Sequence, residues 1–196
     1  MECAYLPPSG ILCGQMAEGV RQTLTFRDRT HRTLDERIAA RFPGAGWRLA
    51  ALVFRLSPKT SVRRRFVAMV VRRGYASLNR GDLDLNAAVY YDDDSELVIH
   101  GNLPFGTGPW TGGNAIAGAY GEWQEIWAEH RRIPQEVIDL GGRLVVVLHD
   151  TGTGAASGIP VNRQFLDLLT IDEGRISRHE VFLDGREGLQ AVGLSE

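Results

Sequence analysis

The chain has 196 residues, is 43% hydrophobic and 23% charged, and carries a formal net charge of −2. Those values suit one globular domain with a short appendage, and they exclude collagen-like, coiled-coil and wholly disordered chains. No run of 18 apolar residues is present to span a membrane as a helix, and two cysteines, Cys3 and Cys13, are too few for a disulfide scaffold or a cysteine zinc site. At the N-terminus, Glu2 stands where a signal peptide would be basic, and Pro7 and Pro8 interrupt the apolar stretch. A reducing, cytoplasmic setting is therefore expected. Charge is unevenly placed: residues 1–73 hold 14 Lys and Arg against 5 Asp and Glu, and residues 74–196 hold 8 against 19. Such a basic front half suits nucleic acid or an acidic membrane surface, or it lies against the acidic remainder of the chain. The basic residues are spread thinly and no nucleic-acid signature accompanies them. Internal pairing is therefore the expectation; nucleic acid is not expected, and membrane contact is a secondary reading.

In chain order, residues 1–30 contain Pro7, Pro8, Gly10, Gly14 and Gly19 with weak periodicity and read as a mobile leader. Thr33 with Glu36 three residues on has the form of a capping box, opening a helix to Arg41 that Pro43 and Gly44 stop. A second short helix follows over Trp47–Leu56, so 31–60 forms a helical extension. Ser61 begins a stronger helix running to Asn79, with Gly81 placed as its left-handed terminator. Asp82 caps a short helix, and Ser95–His100 alternates as a strand. After a loop rich in glycine, Asn114–His130 reads as a helix whose Ile116, Tyr120, Trp123 and Trp127 form one stripe. Strands then pair across Gly141-Gly142 and across Glu173-Gly174, two hairpin signals. Consecutive hairpins exclude a wholly parallel sheet, so the fold class is α+β with a curved antiparallel sheet wrapped by helices.

That order, with GYASLNRGDLD (74–84), YYDDDSE (90–96), WTGGNAIAGAYGEW (110–123), TIDEGRISRHEVFLD (170–184) and GLQAVGL (188–194), resembles the SnoaL-like branch of the NTF2-like superfamily over 61–194. The resemblance implies a cone-shaped α+β barrel, commonly a homodimer, whose interior holds a small apolar ligand. It does not imply one chemistry, because relatives include cyclases, ketosteroid isomerases, epoxide hydrolases, dehydratases and non-enzymatic binding modules. Counting back from the terminal hairpin, Asp167 matches the isomerase's oxyanion-hole aspartate. No acid stands near Val98 or Ile99, where that isomerase's base would fall, and Tyr75 is one position, about 100° of helix, from its tyrosine. Ketosteroid isomerase itself is therefore not expected.

From the residues, period-2 alternation places Arg163, Phe165, Asp167, Leu169 and Ile171 on one strand face. A carboxyl flanked by Phe165 and Leu169 is expensive to ionise and suits acid–base chemistry, or it pairs structurally with Arg163 and Arg178. With a two-residue turn, Asp167 is expected opposite Glu180, and His179 on the other face. His100, at a strand end before the glycine-rich loop, is the second candidate catalytic residue. The expected pocket lining is Tyr75, Phe105, Trp110, Tyr120, Trp123, Arg163, Phe165, Glu180 and Phe182. Asp150 is expected at the cavity rim, and His31 and His130 on the surface. The histidines lack metal-ligand spacing, and GTGAASG (152–158) lacks the helix and lysine of a phosphate loop, so neither a metal nor a cofactor is expected. The expected function is acid–base isomerisation, cyclisation or dehydration of a small hydrophobic molecule, or non-catalytic binding by the same fold.

Overall fold

A computed structural model describes residues 19–194. Cys3, Cys13 and most of the expected leader lie outside the described residues. The elements are β1 (Val20–Thr23), α1 (Leu34–Arg41), α2 (Pro43–Phe54), α3 (Ser61–Asn79), α4 (Leu83–Tyr90), β2 (Glu96–His100) and β3 (Trp110–Thr111). They continue with α5 (Gly113–Glu125), β4 (Trp127–Asp139), β5 (Arg143–Gly154), β6 (Pro160–Asp172), β7 (Arg175–Phe182) and α6 (Gly185–Ala191). Among the described residues the seven strands form one sheet in the order β1-β4-β5-β6-β7-β2-β3. The sheet is curved and does not close on itself. Every pairing is antiparallel except β2 with β7, which is parallel because β2 reaches that edge only through a long excursion of chain.

Local signals account for most boundaries. Thr33 N donates to the Glu36 carboxylate at 2.6 Å, starting α1. Pro43 does not only end α1; it opens α2 at a first-turn position where its missing N–H costs nothing. At the end of α3, Gly81 takes φ +71°. Asp82 precedes α4 as expected, yet its carboxylate receives Arg32 Nε and Nη2 at 2.7 and 2.5 Å instead of capping the helix. Glu173 and Gly174 both take positive φ, the two-residue turn that matches strand twist. Gly174 also has no room for a side chain, since a Cβ there would lie 2.2 Å from Trp47 O of α2.

Two expectations are corrected. The chain ahead of α1 is not all leader: Val20–Thr23 pairs with β4, and Leu24 is buried. The helix bearing Tyr120 and Trp123 stops at Glu125, and Trp127 to His130 belong to β4. Pro134 sits at a bulge in β4, where an absent N–H breaks no ladder bond.

The concave face of the sheet carries the main core, with Val67, Val71, Ile116, Trp123, Val146, Leu148 and Phe165 under α3 and α5. The convex face carries a second cluster, Ile138, Val145, Leu166, Leu168 and Phe182, beside Leu189 and Val192 at α6. Helices α1 and α2 lie over the open end of the concave face, where Trp47 Nε1 donates to Val89 O at 2.8 Å. Three arginines of the basic front half pair with acids of the remainder, Arg21 with Glu136, Arg32 with Asp82 and Arg63 with Asp139, and Arg73 pairs with Asp35 inside the front half. Among the described residues no helix is long and apolar enough to cross a membrane.

Arg63 is the most deeply buried of these, at 2% exposure. Its Nε and Nη2 each reach Asp139 at 2.7 Å, Nη1 donates to Phe54 O and Leu56 O, and Nη2 also donates to Gly141 O. The guanidinium thus ties α3 to the end of α2 and to the β4–β5 turn. Removing one member leaves a buried charge without its partner. Arg63→Ala is expected to lower the unfolding free energy by about 3–5 kcal/mol in urea denaturation, and a loss below about 1 kcal/mol would contradict this role.

Candidate active site

Asp167 sits mid-strand in β6 with Phe165 and Leu169 on the same inward face, and its exposure is 0%. Its Oδ2 accepts from the Tyr75 hydroxyl at 2.6 Å and lies 3.0 Å from His179 Nε2; its Oδ1 has no partner. The two oxygens therefore differ, one held and one with free lone pairs. His179 lies inward because the β6–β7 ladder slips by one residue. Asp172 pairs with Arg175 and Ile171 with Ile176, but beyond the bulge Thr170 pairs with Arg178 and Asp167 with Val181. Turn counting alone places Glu180 opposite Asp167 and sends His179 outward. The bulge reverses both.

The same slip turns Glu180 and Phe182 to the convex face, so neither lines the interior. His100 is there too: it stacks on Phe182 at 4.2 Å and its Nε2 lies 3.2 Å from Glu180 Oε1, while Leu97 and Ile99 take the inner face. His100 and Asp167 are thus on opposite sides of the sheet. Phe165 is wholly buried in the core. Phe105 and Trp110 are partly buried against Trp123 and each other, outside the lining of the two cavities described below. Arg163, with a third of its side chain exposed, lies 3.8 Å from Asp150.

His179 Nδ1 faces two hydroxyls, Tyr91 at 2.8 Å and Tyr120 at 3.0 Å. Burial pushes the Tyr75, Tyr91 and Tyr120 hydroxyls well above the usual phenol value, so each remains an O–H group at neutral pH. A neutral Nδ1 has one lone pair and accepts one of the two O–H protons; the other hydroxyl turns either to its neighbouring tyrosine or to a ligand. Two cavities meet at this cluster. The larger, about 510 Å³, is lined by Tyr75, Tyr91, Leu144, Leu169 and His179 on the domain side and by apolar residues of α1 to α4. The smaller, about 280 Å³, is lined by Tyr120, Trp123, Trp127, His130 and Arg132, with Leu78 to Gly81.

A second acid–base pair lies beside the smaller cavity. His130 Nε2 is 2.5 Å from Asp150 Oδ1, its ring stacks on Trp127 at 4.7 Å, and Asp150 is fully buried. The surface expectation for His130 fails because β4 begins at Trp127, so alternation carries His130 and Arg132 inward. Asp150 lies on the inner face with Leu144, Val146 and Leu148, as their alternation requires. Burial holds the His130 imidazolium below the usual histidine value, although Asp150 opposes that shift. The unfolded chain then binds the proton more readily, so this group lowers stability as pH falls through about 6.5. An NMR titration should give His130 a midpoint below about 6.5, and His130→Gln should flatten the pH dependence of stability there; a midpoint above that value would contradict the assigned burial.

The family model described as "SnoaL-like domain" matches residues 71–179, more than half of the chain. An NTF2-like protein of unknown function from Burkholderia pseudomallei K96243 has a similar structure, with a TM-score of 0.54 and 24% identity over 63% of this chain and 95% of that one. TerC co-crystallised with polyporic acid gives 0.52 and 20%, over 64% and 96%. A protein of ketosteroid isomerase-like fold from Catenulispora acidiphila DSM 44928, in complex with trimethylamine, gives 0.52 and 14%, over 64% and 93%. No curated protein matches the chain.

Proposed function

The chain belongs to the SnoaL-like domain family, and from that premise we propose that it binds a small hydrophobic carbonyl compound in the larger cavity and moves a proton α to the carbonyl without a cofactor. The observation that carries this reading is the buried array Tyr75–Asp167–His179–Tyr91, three members of which line a mostly apolar space whose other polar side chains include Asp35, Glu36, Arg73 and Asn86. A carbonyl oxygen in the cavity takes a hydrogen bond from the Tyr91 hydroxyl, which stabilises negative charge as an enolate develops. The Tyr120 hydroxyl turns its O–H away from His179 Nδ1, the freed lone pair takes the α-proton, and the adjacent Asp167 carboxylate offsets the imidazolium charge while Tyr75 fixes that carboxylate. In this reading Asp167, expected as the central acid–base group, becomes a positioning group, His179 carries the proton in place of Asp167 and of the assisting His100, and Tyr75 and Tyr91 are partners. Polyporic acid and trimethylamine in two proteins of this fold support small-molecule binding in general.

A non-catalytic ligand-binding or interaction module is the second reading, and one observation favours it: both ring nitrogens of His179 already face protein groups. The homodimer expected of the family would also give a cover to Ile38, Phe42, Leu49 and Leu52, which are more than half exposed on and between α1 and α2. Proton exchange separates the readings. In D₂O, the chain should accelerate exchange of the α-protons of 2-tetralone, followed by ¹H NMR. His179→Gln should remove about 10²-fold or more of that acceleration, and Asp167→Asn should lower it while leaving the fold intact by circular dichroism. Binding of the ketone with no acceleration would leave the module reading.

A further inference from the structure

Two buried arginines in this chain have opposite surroundings. Arg63 satisfies its guanidinium with one carboxylate and three backbone carbonyls. Arg132 is equally buried, at 2%, yet Nε, Nη1 and Nη2 have no hydrogen-bond partner, and among the described residues no carboxylate lies within ion-pair distance. Asp150 stands directly opposite Arg132 in the β4–β5 ladder, yet its Oδ1 faces His130 at 2.5 Å and its Oδ2, 3.8 Å from Arg163 Nη2, makes no hydrogen bond and lies outside ion-pair distance of Arg132. The Arg132 backbone is pinned by Asn79, whose Oδ1 accepts from its N–H and whose Nδ2 donates to its carbonyl. Its guanidinium is held among the rings of Trp123 at 4.3 Å, Tyr120 at 5.2 Å and Phe165 at 5.5 Å.

We propose that the smaller cavity is an anion-binding site in which Arg132 receives the carboxylate of a planar organic acid. Arginine stays charged at any physiological pH, and an unpaired cation in a low-dielectric site is costly unless an anion arrives. The other unpartnered groups on the wall are donors as well: Trp123 Nε1 and Trp127 Nε1 are buried without acceptors. Few acceptors oppose them: Asn79 Oδ1 accepts from the Arg132 backbone N–H, and Gln124, whose Nε2 donates to Leu78 O, offers only its Oε1. A wall with donors in excess selects a ligand rich in acceptors, and the planar fork of a guanidinium matches a carboxylate in two bonds. The indole and phenol faces of Trp123, Trp127 and Tyr120 select a flat body behind that carboxylate. A volume of about 280 Å³ exceeds what a single water or halide fills. The site extends beyond the proton-transfer reading and meets it at Tyr120, whose hydroxyl is 3.0 Å from His179 Nδ1, and at Leu78, which lines both cavities.

The probe is benzoate, with benzyl alcohol as its neutral analogue, titrated into the full chain and followed by tryptophan fluorescence and thermal unfolding. Benzoate should quench the emission and raise the melting temperature, and benzyl alcohol should do neither. Arg132→Met should weaken benzoate binding by about tenfold or more, and Arg132→Lys, which keeps the charge and loses the fork, should also weaken it. In the absence of benzoate, Arg132→Met should melt no lower than the parent, because an apolar chain of similar length relieves an unpaired buried charge. A parent chain indifferent to benzoate at tens of millimolar, equal binding by both variants, or equal binding of benzyl alcohol would overturn the site. The ketone exchange assay uses a neutral compound and the other cavity, so its failure is distinguishable from failure here.

Discussion

Keeping a carboxylate at zero exposure inside an aliphatic shell is the costly feature around which this fold is arranged. Asp167 is tolerated because Tyr75 of α3 donates to one of its oxygens and His179 of β7 stands 3.0 Å from the same oxygen. The second contact depends on backbone geometry. One residue, Ser177, is unpaired between Ile176 and Arg178, and the β7 alternation past it is reversed. Without that bulge His179 would face the convex side with Glu180's present neighbours, and Asp167 would face an acid. The bulge therefore decides whether Asp167 meets an imidazole or a second carboxyl.

Around that network the chain builds two spaces of different character. The larger is roofed by α1 and α2, so the helical segment before Ser61 forms part of the cavity wall. Apolar side chains dominate it, with Tyr75, Tyr91 and His179 on its inner wall and Asp35, Glu36 and Arg73 among the polar side chains from α1 and α3. The smaller has aromatic walls and an excess of donors led by Arg132. Arg63 and Arg132 show how the same side chain performs two tasks: a satisfied guanidinium ties elements together, and an unsatisfied one waits for an acceptor. In the proposed account a neutral carbonyl is recognised at Tyr91 and a carboxylate at Arg132, the two tyrosines Tyr91 and Tyr120 meeting at His179 Nδ1.

Much of this was legible in the residues. The bounds of α3, the capping box at Thr33, both hairpin turns and the inward face of Phe165, Asp167 and Leu169 follow from periodicity and turn chemistry. The order of elements, with the motifs between Gly74 and Leu194, was sufficient for the family. What escaped has a common physical origin in register. A bulge carries no residue signature as clear as a glycine turn, so Glu180, Phe182 and His179 were placed on the wrong faces. The aromatic stripe continues at helical spacing to Trp127, although the helix ends at Glu125 and tertiary pairing with β5 claims Trp127 onward. Reading that stretch as helix hid the alternation His130, Arg132 and with it the second cavity. Tyr75 was undervalued by a rotation argument that assumed the helix axis of a relative; here its hydroxyl reaches Asp167 directly.

The central claim is that the polar array formed by Asp167, His179 and the tyrosines faces a ligand in the larger cavity instead of merely bracing the core. A crystal structure of the chain soaked with 2-tetralone tests it most directly. The account predicts density for the ketone beneath α1 and α2, with the carbonyl oxygen about 2.6–3.2 Å from the Tyr91 hydroxyl or the His179 ring. A ketone bound with its carbonyl turned toward the apolar helices, or a cavity that stays unfilled at saturating ketone, would contradict it.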